Sequence, residues 1–579
     1  MAYFLKRSNI KKGTYLQIYE SFYDPERRQT AHRSVRAVGY VHELQEKGIE
    51  DPVAHFKAEV DAMNAERREE RRRSAEVRRV GDSSPELNLG HFPLRAIDAM
   101  LGTEREMSWL QVASGLKAPL FRILSSLAYA RAVDPGSKLR TYEEVLPRLG
   151  AGGAPGYTLD QLYDALAFLG SEYEKVIEIY NHAAARIWER DVSRAYFDCT
   201  NFFFEIDAED GLRRKGPSKE NRRDPIVGLG LLLDADCLPL GMSIFPGNES
   251  EKPVMREVVA SMKSRHPGCG RTVRVADKGL NCADNIADAL LCGDGYIFSK
   301  SVKQLPDAER SWALSEEGFT DVRGADGQVA YRIKSAVGEF EYRVAGEDGK
   351  RRRVSLEERR IVTYNPRLAR KHNREIDRMV EKARGLRLSR AKRSEYGESA
   401  RFVTFAAVDA DGCVGEEPVA CVLDHEAIAR ARSVAGYNMI VTSEVGMADA
   451  EVYSTYHRLW RIEESFRVMK SQLDARPVYL RRQDAIKGHF LVCYVSVLLL
   501  RLLQLKVLGD EFGSEEVVRF IRGFDAVPAS DRKFVNLSRR SAVGDALERI
   551  TGLPINNYYL GKAQVDKIRC YKFDEESIS

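Results

Sequence analysis

The chain has 579 residues, enough for several domains, and its 44% hydrophobic and 30% charged residues are typical of a globular protein. The net charge of +4 is nearly neutral for this length, so any attraction to nucleic acid must come from local basic patches. The nine cysteines contain no C-x-x-C pair, which argues against a zinc site or a disulfide framework and favours a cytosolic protein. The N-terminus lacks a signal-peptide core, and the apolar run from Phe490 to Leu500 is too short to span a bilayer.

The sequence patterns of the first 190 residues predict a small strand module, a linker helix and a helical domain. In residues 1–50, the segments TYLQIYESFY and SVRAVGYV predict strands joined by a turn at DPERRQ. This module is basic, and DNA contact and a solvated sheet face are equally open interpretations. Residues 51–90 contain the mixed-sign run ERREERRRSAEVRR, which predicts a solvated linker helix. Residues 91–190 have amphipathic helical periods.

The hydrophobic period changes in residues 191–304. The aromatic segment AYFDCTNFFFEI predicts a strand with Asp198 at its middle, and VGLGLLLD and LPLGMSIF predict a hairpin after it. A helix, the strand TVRVAD, a second helix and the strand YIFSKS follow. Three antiparallel strands followed by one that can lie parallel beside the first predict a ribonuclease-H-like core in a multidomain α/β protein. Asp277 would lie at the carboxyl end of the fourth strand, where α/β sheets present functional groups.

Residues 305–446 interrupt this core with short strands around a basic stretch, which predicts a strand-rich insertion domain. Between residues 350 and 393 there are 17 Lys and Arg against 5 Asp and Glu. This excess favours a surface for the DNA backbone over a merely solvated face. The core resumes in residues 447–510, and residues 511–579 form a C-terminal region that is a candidate for oligomerisation.

The stretch YHRLWRIEESFRVMK, residues 456–470, contains no Gly or Pro and predicts one continuous helix. On such a helix Tyr456, Glu463 and Lys470 lie two turns apart and share a face. Glu464 is rotated about 100° from that face, so Glu463 is the better candidate for a functional carboxylate. Taken alone, Glu463 could be a metal ligand, a salt-bridge partner or a solvated charge.

Asp198, Asp277 and Glu463 can meet where strand ends face this helix. Three adjacent carboxylates repel one another and need a compensating cation, and an all-oxygen site suits Mg²⁺ or Mn²⁺. Two such ions about 4 Å apart clamp the attacking and leaving oxygens of a phosphodiester displacement. Taken alone, Asp277 could equally well be a turn residue or a functional carboxylate. For Asp198, a role in capping a turn is less favoured than a functional role.

These motifs resemble those of bacterial insertion-sequence DDE transposases, whose signature is Y-x2-R-x3-E-x6-K. Tyr456, Glu463 and Lys470 match its Tyr, Glu and Lys, whereas Leu459 stands at the Arg position. The segments YFDCT and VADKGLNCADNI resemble the motifs of the first and second Asp, which are Asp198 and Asp277 here. The segments RAVDPGSK and RPV also fit this branch of the group.

The resemblance implies a ribonuclease-H-like core with a β-rich insertion between the second Asp and the Glu. It implies that Asp198, Asp277 and Glu463 are catalytic and bind two Mg²⁺ or Mn²⁺ ions. The implied reaction is cut-and-paste transposition: hydrolysis at the inverted-repeat ends of a transposon, then attack of the freed 3′-hydroxyls on target DNA. The expected partners are double-stranded DNA and a second copy of the chain in a synaptic complex, in the bacterial cytoplasm at the nucleoid and without a membrane.

The resemblance places Tyr456 and Lys470 on phosphates of the transposon-end DNA. The further candidates for DNA binding are Arg467, Lys278, Lys219 and Trp312. In some relatives a Trp of the insertion stacks on a flipped base, but packing is the favoured role for Trp312. Two alternatives stay open: a transposase-derived DNA-binding protein without catalysis, and a structure-selective nuclease of the same fold.

Overall fold

The computed structural model describes residues 2–24, 29–76, 86–150, 155–220, 223–265, 270–345, 350–388, 396–406, 420–530 and 532–573. The chain divides into two compact units, Met1–Asp82 and Ser83–Ser579. Most of the predicted turn DPERRQ and the end of the basic stretch lie outside the described residues.

The first unit is a three-stranded antiparallel sheet followed by two helices. Its strands are β1 (Tyr3–Ile10), β2 (Gly13–Asp24) and β3 (Gln29–Tyr40), and its helices are Val41–Glu46 and Pro52–Glu76. Leu16, Leu44 and Phe56 form its small core. The two predicted strands and the charged helix are confirmed, and β1 is a strand that the sequence analysis did not predict.

The second unit begins with a layer of helices, as predicted for residues 91–190. The longer helices of this layer are Phe92–Leu101, Glu104–Ser114, Leu120–Val133, Leu159–Ser171 and Tyr173–Ile187. Between them lie the short helical segments Lys138–Arg140, Thr141–Val145 and Leu146–Leu149.

The helix Gln483–Arg501 runs through this layer and is almost entirely buried. It crosses the helix Leu159–Ser171 at Gly170 and Gly488, where a Cβ on either residue would collide with a backbone carbonyl of the other helix. The segment Gln483–Val507 is long and apolar enough to cross a membrane, but most of it is buried inside the protein, as expected of a core helix.

Fifteen further strands follow in the part of the second unit that the structure describes. They are β4 (Leu87–Asn88), β5 (Arg194–Phe203), β6 (Ile226–Leu233), β7 (Pro239–Pro246), β8 (Val273–Ala276), β9 (Gly295–Lys300), β10 (Thr320–Arg323), β11 (Val329–Ala345), β12 (Arg351–Tyr364), β13 (Val403–Ala406), β14 (Ala420–Leu423), β15 (Tyr437–Thr442), β16 (Asp525–Ser530), β17 (Lys533–Asn536) and β18 (Tyr559–Gly561). Nine of them form one mixed sheet in the order β10-β11-β12-β15-β9-β8-β5-β6-β7.

The strands from β5 to β9 have the predicted arrangement. β5 pairs with β6 antiparallel and with β8 parallel, and β8 pairs with β9 parallel. The helices Glu251–Arg265 and Ala283–Leu291 pack on one face of these strands, and the helix Gln483–Arg501 packs on the other. The side chains of β5 therefore alternate between two buried layers.

The strands predicted for residues 305–446 do not all form a separate sheet. β10, β11, β12 and β15 extend the central sheet, and only β13 and β14 pair apart from it among the described strands of this segment. This segment also contains the helices Asp307–Leu314, Pro366–Leu388 and His425–Ser433. Most of the basic stretch lies on β12 and on Pro366–Leu388, and the boundaries of an insertion domain stay a prediction.

The C-terminal region folds back onto the start of the second unit. β16, β17 and β18 form a four-stranded sheet with β4, in which Asp525 pairs with Asn88. The helices Ser514–Gly523, Ala542–Thr551 and Lys562–Arg569 surround this sheet. A role in oligomerisation stays a prediction.

Candidate active site

Asp198 lies at the middle of β5 and faces away from the helices Glu251–Arg265 and Ala283–Leu291. Its neighbours Phe197 and Cys199 pack beneath those helices, so the alternation of the strand turns Asp198 to the opposite face. Burial raises the pKa of the Asp198 carboxyl to about 6, although the nearby Lys219 ammonium favours its ionised form. A buried carboxylate of this kind is costly without a cation beside it.

Asp198 and Glu463 line the same open cleft. The other residues that line it are Cys199, Thr200, Lys219, Phe466, Arg467, Lys470, Ser471 and Arg476. Four of these side chains carry positive charge, against two carboxylates. The cleft is therefore suited to an anionic polymer whose phosphates approach the carboxylates.

Asp277 follows directly after β8, the parallel neighbour of β5. Phe197 pairs with Ala276 in the register of these strands, so Asp198 and Asp277 are the next residues on adjacent strands. Asp277 Oδ1 accepts hydrogen bonds from Ser299 Oγ at 2.7 Å and from the Tyr456 hydroxyl at 3.0 Å. The cleft lining, among the residues described, does not include Asp277.

Tyr456 donates to Asp277 instead of facing the cleft with Glu463 and Lys470. Burial and the Asp277 carboxylate raise the pKa of the Tyr456 hydroxyl, so it stays protonated and acts as a donor. Among the residues described, Tyr456 does not line the cleft that Glu463 and Lys470 share, and the predicted single face of the three residues stays a prediction.

The predicted helix over residues 456–470 is divided into three segments. Between the helices Asp449–His457 and Trp460–Arg467, Arg458 and Leu459 form a tighter turn whose backbone angles stay right-handed helical, and the second helix carries Glu463. The π-helical turn Val468–Gln472 follows. Leu459 is buried in the large apolar core.

Glu463 and Glu464 have different environments. Glu463 is exposed at the cleft, whereas Glu464 is buried and its Oε2 lies 2.9 Å from Arg501 Nη1 and 3.2 Å from Arg461 Nη1. Burial alone would raise the pKa of Glu464, but the charge and hydrogen bond of Arg501 outweigh it and hold the pKa below its usual range. Glu464 is therefore committed to a structural ion pair.

Three cations of the cleft form ion pairs with acidic residues that are not among the predicted site residues. Lys470 Nζ lies 3.6 Å from Glu220, which also forms an ion pair with Arg476. Lys219 donates to the Cys199 carbonyl and lies 3.3 Å from Glu251. The sequence signal for these contacts is the mixed-sign segment SKENRR, but its partners lie far along the chain.

The other predicted DNA contacts are scattered. Arg467 is exposed in the cleft, and Lys278 is exposed directly after Asp277. Trp312 packs against the core on the helix Asp307–Leu314, with Lys334 Nζ 5.2 Å above its ring. The packing role favoured for Trp312 agrees with this position.

The donor chemistry of Asp198, Asp277 and Glu463 fits a hard divalent ion, since every donor is a carboxylate oxygen. Over the described part of the chain, however, no three Asp, Glu, His or Cys side chains lie close enough together to hold a metal ion. Asp198 and Glu463 share the cleft, and Asp277 is engaged by Ser299 and Tyr456 beside it. Asp198 is thus a neighbour of both Glu463 and Asp277, and the three carboxylates do not form a closed ligand set.

A family comparison decides the class of protein. The sequence profile of the transposase DDE domain matches residues 206–499, about half of the chain. The chain belongs to the DDE transposase family. Asp277 and Glu463 of this DDE transposase lie within the matched segment, and Asp198 lies just before it. The family comprises enzymes that cleave and transfer DNA, and its members generally use divalent metal ions.

Two further comparisons add little to the family match. A cryo-EM structure of a piggyBac transposase synaptic complex with hairpin DNA is similar at 8% sequence identity and a TM-score of 0.36. The similarity covers 84% of this DDE transposase and 86% of that chain. A comparison with curated proteins found no match.

Proposed function

We propose that this protein is a bacterial insertion-sequence transposase that cuts the inverted-repeat ends of its element and joins the 3′-hydroxyl ends to target DNA. The observation that carries the proposal is the shared cleft of Asp198 and Glu463, which is lined by four cations. The strand order β7-β6-β5-β8-β9, with β5, β8 and β9 parallel, supports a ribonuclease-H-like core for this chemistry.

In this proposal Asp198, Asp277 and Glu463 hold Mg²⁺ or Mn²⁺, with two ions in the working enzyme. When bound, the ions help to deprotonate a water or a 3′-hydroxyl and stabilise the leaving oxygen. Tyr456 and Ser299 orient Asp277 by donating to its Oδ1.

The side chains around the carboxylates bind the DNA strand. Arg467, Lys470, Lys219 and Arg476 pair with phosphates on either side of the scissile bond, which positions the strand without reading its sequence. The ion pairs of Glu220 and Glu251 hold three of these cations at the cleft wall before DNA arrives. Lys278, next to Asp277, extends the same surface.

The proposed partners are two terminal inverted repeats, a target duplex and a second copy of the chain in the bacterial cytoplasm at the nucleoid. Each copy has one such cleft, and cutting two ends requires two clefts. The C-terminal region is the proposed site of self-association.

A second candidate is a DNA-binding protein that has lost catalysis. The absence of a closed three-carboxylate group among the described residues favours it, as does Leu459 at the Arg position of the signature. The two candidates differ in one measurable property, which is cleavage of the element's own ends.

The test is a cleavage assay on terminal-repeat DNA with Mg²⁺ or Mn²⁺. We expect the wild type to nick the ends and to join them to a second DNA, and Asp198→Asn and Glu463→Gln to lower the rate at least about 1,000-fold while DNA binding persists. Glu515→Gln, which removes an exposed carboxylate on another helix, is the control and should keep full activity. Binding without cleavage by the wild type would favour the second candidate, and cleavage without joining would favour a nuclease.

A further inference from the structure

Four successive backbone carbonyls just beyond the Glu463 helix are held by basic side chains. Arg522 Nη2 donates to the Gln472 carbonyl, and Arg131 Nη1 donates to those of Leu473 at 3.4 Å and Asp474 at 3.2 Å. His489 Nε2 lies 2.9 Å from the Ala475 carbonyl. These carbonyls lie at the end of the π-helical turn Val468–Gln472 and just after it, and donors at four consecutive positions fix the path of the chain there.

We name Arg131, His489 and Arg522 the carbonyl anchor. Arg131 and His489 are almost completely buried, at 6% and 2% exposure. The three residues come from three different helices: Leu120–Val133, Gln483–Arg501 and Ser514–Gly523. Arg522 Nε also donates to the Ala132 carbonyl at 3.1 Å, which ties the end of the first of these helices to the same point.

The protonation of His489 follows from its neighbours. Lys138 Nζ and Arg131 Nη2 approach its Nδ1 at 3.1 and 3.4 Å, so this nitrogen accepts and carries no proton. The single proton then lies on Nε2, which donates to Ala475. Burial and the two cations hold the pKa of His489 well below its usual range, in agreement with a neutral ring.

The anchored segment separates two groups of cleft residues. Glu463 and Lys470 precede residues 472–475 and Arg476 follows them, and all three side chains line the cleft. None of the anchor residues lines that cleft. Arg131 and Lys138 belong to the segment RAVDPGSK, which contributes no residue to the cleft lining. The anchor gives this segment a structural role.

We propose that Arg131, His489 and Arg522 are positioning residues for DNA cleavage: they fix residues 472–475, which follow the Glu463 helix and its π-helical turn, and thereby the placement of Glu463, Lys470 and Arg476. The inference rests on the proposed function for its catalytic consequence. The anchoring itself can be measured without any DNA.

The experiment compares full-length Arg131→Met and Arg131→Lys with the wild type. Hydrogen–deuterium exchange reports protection of the amides in residues 460–476, and cleavage of end DNA is followed as a function of Mg²⁺ concentration. We expect Arg131→Met to lose protection selectively in this segment, to cleave about 10- to 100-fold more slowly and to need several-fold more Mg²⁺ for half-maximal rate. Arg131→Lys keeps a cation at the site and should cleave at least about fivefold faster than Arg131→Met.

Arg95→Met is the matched control. Arg95 is a half-buried arginine of the same helical layer, and it donates to the Tyr571 carbonyl at 2.6 Å, a bond unrelated to the Glu463 helix. This variant should leave exchange in residues 460–476 and the Mg²⁺ dependence unchanged, which separates positioning from a general loss of stability.

Three results would overturn the inference. Unchanged exchange in Arg131→Met would show that no anchoring exists, and increased exchange with unchanged cleavage would show that anchoring does not position Glu463. An equal effect of Arg95→Met on exchange and on the Mg²⁺ dependence would show that Arg131 acts only through the overall stability of the protein. If the wild type does not cleave at all, the proposed function fails, while the exchange data still decide whether the anchor exists.

Discussion

Glu463 and Glu464 are adjacent residues that the tertiary structure uses in opposite ways. Glu464 forms a buried ion pair with Arg501, whose side chain is 2% exposed, and Glu463 remains at the cleft. A buried pair of this kind contributes little net stability when intact, but it leaves an uncompensated charge when one partner is removed. Substitution of Glu464 should therefore lower stability, whereas substitution of Glu463 should lower catalysis.

We predict that Glu464→Gln lowers the free energy of unfolding by about 3 kcal/mol, because it leaves Arg501 buried without its counter-ion. Glu463→Gln should change the free energy of unfolding by less than about 0.5 kcal/mol, since its side chain is exposed. Denaturant unfolding at pH 7 measures both values. Equal effects of the two substitutions would show that Glu464 is not a structural residue.

The same pair predicts a pH dependence. The folded-state pKa of Glu464 lies below its usual value of 4.5, so its stabilising contribution is present above that value and is lost as the pH falls through the lowered pKa. The difference in unfolding free energy between the wild type and Glu464→Gln should therefore shrink below about pH 4.5. Unfolding curves at pH 7, 5 and 4 check this, and a difference independent of pH would contradict the ion pair.

At the scale of elements, the helical segment around Glu463 is less regular than the helix expected from its composition. Propensity favours helix throughout residues 456–470, and the chain stays right-handed helical through Arg458 and Leu459, where one turn is tighter. From this segment Tyr456 donates to Asp277, and Glu463 and Lys470 line the cleft. Local propensity predicts the helix but does not specify such irregular turns, because these depend on tertiary packing.

Leu459 at the Arg position of the signature is therefore predicted to be a packing residue. Leu459→Arg should lower the free energy of unfolding by about 3 to 5 kcal/mol, because it buries an unpaired charge in the core. Leu459→Met, of similar volume, should lower it by less than about 1.5 kcal/mol. Thermal unfolding and end-DNA binding measure the outcome; a stable Leu459→Arg protein that binds ends more tightly would instead reveal a missing phosphate contact.

At the scale of the whole molecule, the near-zero net charge conceals a strongly basic region. The helix Pro366–Leu388 exposes a row of cations on its solvent side, and its apolar side packs on a small core. Arg370, Arg374 and Arg378 are exposed members of this row. Such a surface binds the DNA backbone with a strength set by the phosphates that it neutralises.

Replacing Arg370 and Arg374 together by Gln should weaken DNA binding and lower the slope of log affinity against log salt by about two. The loss should be the same for end DNA and unrelated DNA, since phosphate contacts carry no sequence information. Arg519→Gln with Arg540→Gln removes two exposed cations elsewhere and should leave the slope unchanged. An unchanged slope in the Arg370/Arg374 variant would show that this side of the helix is only solvated and does not bind DNA.

Much of the architecture could be predicted because its signals are local. Aromatic and apolar segments located β5, β6 and β7, and the helix Ala283–Leu291 lies between β8 and β9, as predicted. Asp198 was recognised from a charge within an aromatic strand. Glu220, Glu251 and the carbonyl anchor could not be found in this way, because their partners are distant in the chain and no spacing rule relates them.

The sequence by itself determined the order of the core strands, the three candidate carboxylates and the family resemblance, since these depend on alternation and on motifs within short segments. Only the tertiary structure decided where the helical segment around Glu463 becomes irregular, that β10–β12 extend the central sheet, and that Arg131, His489 and Arg522 converge on residues 472–475. The physical reason is that burial and hydrogen-bond satisfaction are settled between distant segments, where they outweigh local propensity.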